Sequence, residues 1–175
     1  MDTSTRLINI TDAPLFKGGE KKKGQRLPWP PQRFTRAAMA DPTDLAELQA
    51  EYEFLDADDR YRLLIDLGRA LEPMPAALKT DATLVRGCSA AVWVYPQQQP
   101  DGRLHFLADS NAAITKGIIA LVLATVQDRT PAEVRATDID AALAPFELKA
   151  QLSSNRTQGI PNMIALIRDT AARLA

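Results

Sequence analysis

The chain has 175 residues, 46% hydrophobic and 25% charged, with a net charge of −1, one cysteine and one histidine. That is the size and balance of one soluble globular domain. It excludes an intramolecular disulfide and, with no apolar run of 18 residues, a transmembrane helix. The charge is unevenly spread. Residues 1–40 hold eight Lys/Arg against three acids, and the rest holds 13 against 19. The early segment lacks a signal-peptide apolar core. A reducing cytoplasm is the simplest compartment, with neither membrane nor nucleic acid implied.

In chain order, residues 1–41 contain "KGGEKKKG" and "PWPP" with no sustained apolar period. They read as a flexible basic N-terminal extension preceding a domain over 42–175. "DPTDLAELQAEYEFL" places Leu45, Leu48 and Tyr52 at helical spacing, with Thr43 as N-cap. A second helix from about Asp58 carries Tyr61, Leu64, Ile65, Gly68 and Leu71 on one face and stops at Pro73 and Pro75. A short strand is expected at Leu84 and Val85. "VWVY" and "RLHFLA", joined by "PDG", then make a β-hairpin with Leu104 and Phe106 on one face and His105 exposed on the other.

"DSNAAITKGIIALVLATV" is apolar nearly all round and reads as a central buried helix, capped by Ser110 or Asn111. Within it Gly117 is expected to pack closely against the sheet, and Lys116 to pair with an acid. Asp109 reads as a helix-start or loop hydrogen bonder. Thr130, Pro131 and Glu133 are three agreeing helix-start signals, and Thr137 opens another short helix. The last helix presents Ile160, Met163, Ile164, Ile167 and Ala171, and Pro161 sets its start near Gln158 or later. Helices, a small antiparallel sheet and more helices give an α+β fold.

The chemistry centres on "LVRGCSAAVWVY". Cys88 follows Gly87, which permits an open backbone at a loop-to-strand junction. Arg86 supplies positive potential near the thiol, and Ser89, Ala90 and Ala91 do not crowd the sulfur. One Cys and one His make neither a zinc site nor an iron–sulfur site, which need several ligands. No metal and no organic cofactor is implied. A cysteine hydrolase needs a base, and the one candidate, His105, lies mid-strand. Trp93 reads as strand packing. Persulfide carriage and redox sensing both remain as chemistries of a thiol without a dedicated base.

Five stretches, "RYRLLIDLGRALEPMP", "LVRGCSAAVWVY", "DGRLHFLADSNAAITKGIIALVL", "RTPAEV" and "LSSNRTQGIPNMIALIR", resemble the SufE family of sulfur acceptor proteins in order and spacing. The resemblance runs from about Thr43 to Leu174. It implies a SufE/IscU-like α+β fold that holds no cluster. It also implies transfer of persulfide sulfur from a SufS- or CsdA-type cysteine desulfurase towards a SufBCD-type iron–sulfur scaffold complex, with stimulation of the desulfurase. Cys88 resembles the family's sulfur-accepting residue, and Arg156, in "SSNRTQG", its basic residue near the desulfurase-facing site.

Three departures from the family pattern involve four residues: Ser89 and the following Ala90 where Gln and Ser are usual, Asn111 where an acid often follows "D-S", and Pro161 where the family usually continues a helix. Arg86, Gly87, Ser89, Asn111 and Arg156 are the expected support or partner-facing residues. Met39 stands close to where family members commonly begin and is a candidate translation start. A monomer or weak homodimer is expected. The alternative function is a non-catalytic regulatory binding module of a desulfurase or scaffold.

Overall fold

A computed structural model describes residues 42–87, 89–148 and 159–175, with the side chains of 42–44 left aside. The expectations for residues 1–41, Cys88 and Arg156 lie outside the described residues. Helix α1 spans Pro42–Glu53. It starts one residue before the expected cap, so Thr43 lies inside it. Its buried residues are the expected Leu48 and Tyr52. The Tyr52 ring meets the edge of Phe146 at 5.1 Å and lies under the Arg60 guanidinium at 4.8 Å.

Helix α2 spans Ala57–Ala70 and is capped by Asp56, whose side chain accepts from the Asp59 N–H. It buries Leu63, Leu64, Leu67 and Gly68, a face rotated from the expected stripe, and leaves Tyr61 48% exposed. Ile65 and Leu71 lie half-buried at the edge of that face. Helix α3, Ala113–Val126, is the central helix, buried on nearly every side. It crosses α2 at backbone distance. A Cβ on Gly117 would stand 2.0 Å from the Leu64 carbonyl oxygen, and one on Gly68 2.7 Å from the Gly117 nitrogen. Gly117 therefore serves the α2–α3 crossing and not the sheet as expected, because α2 already occupies that side of α3.

Strands β1 (Val92–Gln98) and β2 (Leu104–Ser110) pair antiparallel, from Val92 opposite Ser110 to Gln98 opposite Leu104. Gly102, at φ +83°, makes the turn between them. The expected short strand is a bridge between Leu84 and Trp93, with the Val85 N–H donating to the Val92 carbonyl at 2.8 Å and the Val94 N–H to Thr83 at 2.9 Å. The inner sheet face buries Val92, Val94, Leu104, Phe106 and Ala108 in the core.

Ser110 and Asn111 do not cap α3. Ala112 stands at the cap position with no side-chain bond, because Ser110 ends β2. Helix α4 (Pro131–Ala136) has the full expected capping box between Thr130 and Glu133. Those hydrogen bonds from the Thr130 N–H and hydroxyl hold the Glu133 carboxyl below its usual range. Asp138, one residue beyond the expected Thr137, caps α5 (Ile139–Leu143). Helix α6, Gly159–Arg173, buries Met163, Ile164, Ile167 and Ala171. Pro161 sits in its first turn, where a helix has no use for the missing N–H. Helix α6 packs against α4 and β1. The result is α+β. Among the described residues no helix is long and apolar enough to cross a membrane.

Candidate functional site

Residues 86–91 connect the Leu84–Val85 bridge to β1. Val85 and Val92 are both buried, and their hydrogen bond closes the base of the loop. Above it, the chain is tied at two points. Before residue 88, the Asn162 Nδ2 amide in the first turn of α6 donates to the Arg86 carbonyl at 2.8 Å. After it, Asn111 makes two bonds to Ala91. Its N–H donates to the Ala91 carbonyl at 3.3 Å, and its Oδ1 accepts the Ala91 N–H at 3.1 Å. Gly87 has φ +87°, a conformation that favours glycine. It passes so close to α6 that a Cβ would stand 2.5 Å from Asn162 Nδ2.

The fold thus brings Arg86, Gly87, Ser89 and Asn111 together around one loop, all four exposed. Cys88 lies between them in the chain, outside the described residues, as does Arg156. Asn162 was not legible in advance. It is a polar residue in a helix's first turn, 76 positions from its partner, and no local pattern joins them.

Beside the loop, the outer face of the hairpin forms one wall of a cleft of about 730 Å³, lined among others by Ile65, Leu71, Met74, Lys79, Trp93 and Lys116. Trp93 is half-buried there, opposite Asp109 in register. Asp109 is neither a helix start nor a loop residue. It lies in β2 and binds the ammonium groups of Lys79 and, at 2.6 Å, Lys116, while the Ser110 N–H donates to it at 2.8 Å. Burial pushes its carboxyl up, but the bonds from Lys116, Lys79 and Ser110 outweigh this and hold it below the usual range. The expected acid partner of Lys116 is therefore Asp109.

His105 differs from expectation. Its side chain is only 16% exposed, with Nδ1 2.7 Å from Asp128 Oδ1 and Nε2 3.2 Å from Glu72 Oε2. It pairs with Gln97, at the end of the hairpin away from the loop. Five residues of strand at ~3.4 Å each put it roughly 17 Å along β2 from Ser110. Its ring nitrogens face carboxylates, so it is poorly placed as the base of a Cys–His pair.

Residues 46–171 match the family model described as SufE, Fe–S metabolism associated domain. The chain belongs to the SufE family. This SufE-family chain is 38% identical over 103 residues, 59% of its length and 70% of the other's, to the sulfur acceptor protein CsdE of Escherichia coli (strain K12). Its fold is similar to the solution structure of a hypothetical protein from Thermus thermophilus, with a TM-score of 0.60 and 14% identity over 74% of this chain and 94% of that one. The family match begins within α1 and ends within α6, so it takes in the loop and both of its anchors.

Proposed function

We propose that this protein is a sulfur acceptor and carrier that takes persulfide sulfur from a cysteine desulfurase onto Cys88. The observation that carries the reading is the built loop around that residue: closed at Val85–Val92, tied by Asn162 and Asn111, and turned at Gly87. The likeness to CsdE, named a sulfur acceptor protein, supports the same reading.

The transfer is an exchange at sulfur and needs no outside oxidant or reductant. The Cys88 thiolate attacks the outer sulfur of the donor's cysteine persulfide. A new S–S bond forms at Cys88, the donor's S–S bond breaks, and its electron pair stays on the donor as thiolate. Arg86 and Arg156 favour the thiolate and the product persulfide anion through their charge. The loaded protein then passes the sulfur to iron–sulfur cluster assembly in the cytoplasm, and by clearing its sulfur it speeds the desulfurase.

The test supplies a desulfurase with cysteine labelled at sulfur and follows label onto this chain. Wild type takes up one sulfur per chain, stable to gel filtration and released by a reducing thiol. Cys88→Ala takes up none. Label retained by Cys88→Ala overturns carriage on Cys88. A variant that takes no label yet still accelerates the desulfurase makes the protein a regulatory module instead.

A further inference from the structure

The three ties on the 86–91 loop differ in kind. The Val85–Val92 bond is backbone to backbone between buried residues. Asn111 holds Ala91 with a two-point pair from the end of the adjacent strand. The third tie is one hydrogen bond from an exposed side chain, Asn162, to the Arg86 carbonyl, and it joins elements far apart in the chain. An exposed bond competes with water and is the weakest of the three. Its donor nonetheless has a fixed base, because the neighbouring Met163 and Ile164 are buried in the core. The same Nδ2 atom that donates to Arg86 also fills the space a Cβ at Gly87 would need.

We propose that Asn162 is a positioning residue for the thiol of Cys88: its amide holds the Arg86–Gly87 turn against α6, and release of that one bond governs how readily the loop leaves the helix to meet a partner. The inference rests on the carrier reading for its purpose but not for its measurement. With one cysteine in the chain, alkylation by iodoacetamide reports on Cys88 alone and needs no sulfur donor.

Asn162→Ala removes the donor, and Asn162→Asp places an acceptor against the carbonyl. Both are expected to raise the alkylation rate about fivefold, equivalent to ~1 kcal/mol for one net hydrogen bond, with the melting temperature lowered by no more than about 2–4 °C, as the loss of one such bond implies. In sulfur acceptance, KM for the desulfurase falls by a similar factor while kcat holds, since a larger fraction of the chain is competent to bind. Gly87→Ala displaces Asn162 and raises alkylation too. Combined with Asn162→Ala its effect is less than the product of the two, because both break one contact. Wild-type alkylation rates in both Asn162 variants, or full additivity in the pair, overturn the proposal. Sulfur uptake by Cys88→Ala would instead strike the carrier reading and leave the alkylation result standing.

Discussion

Asp109 binds two lysines with one carboxylate, and that arrangement fixes a pH signature. Its carboxyl is held below the ordinary range in the folded protein, so the unfolded chain binds its proton first as pH falls. The stabilisation is present above the usual carboxylate value near 4 and is lost as pH drops through the lower folded value. Asp109→Asn should therefore lower stability at pH 7 by about 1–2 kcal/mol, between the values for exposed and buried pairs. It should also flatten the loss of melting temperature between pH 5 and 3. Parallel melting curves for variant and wild type over that range would refute the assignment. His105→Ala makes the opposite test. It removes the group between Asp128 and Glu72 and is expected to cost about 1 kcal/mol while sulfur uptake holds at the wild-type rate. A large loss of uptake would restore His105 as a candidate base. Strand alternation placed His105 on the outer face correctly. It could not show that residues after α2 cross that face, where Glu72 meets His105 and Lys79 meets Asp109. Those are contacts between segments remote in sequence.

At the scale of elements, features written within three or four residues were legible, and features that depend on a partner were not. The Thr130 capping box is local and was read in full. The same holds for the start of α6, where Pro161 limits how far the helix can extend backwards. The buried face of α2 was misread by about one position. Leu63 and Leu67 compete with Tyr61 and Ile65 for the same helical spacing, and only the approach of α3 decides between them. That approach depends on Gly68 and Gly117. Gly117→Ala would set a methyl carbon 2.0 Å from the Leu64 carbonyl oxygen, and neither backbone can yield without moving its helix. The expected cost is about 3 kcal/mol, at the upper end for overpacking, visible as a lower urea midpoint at unchanged m-value. Stability within 0.5 kcal/mol of wild type would mean the two helices are free to part. Arg86 and Gly87 were legible from their place beside Cys88, and Ser89 and Asn111 stood out only as departures from the pattern of the family the chain resembles. Asn162 was not legible, because its link to Arg86 is made only when α6 packs against β1.

Across the whole molecule, charge is unevenly spread along the chain. Residues 1–38 carry all eight early Lys/Arg with three acids, and the remainder carries 13 Lys/Arg with 19 acids. Removing 1–38 thus takes the net charge from −1 to −6. The family match begins at residue 46, and the core among the described residues begins at Leu45 and Leu48 in α1. We propose that residues 1–38 are an extension to the domain, and since stability follows buried apolar area, a chain starting at Met39 is then expected to keep the urea midpoint of the full chain. On that proposal the basic segment acts through its charge, on association with a charged partner. At 0.15 M salt the screening length is about 8 Å, and sulfur acceptance from a desulfurase should be the same for both chains. At ~0.01 M salt, where it is about 30 Å, their KM values should diverge while kcat stays equal, since steering alters encounter and leaves the transfer step alone. Stopped-flow mixing at the two salt concentrations checks this. A lower urea midpoint in the short chain, or a kcat difference at either salt, would show that residues 1–38 contribute to the folded domain or its site and not to encounter alone.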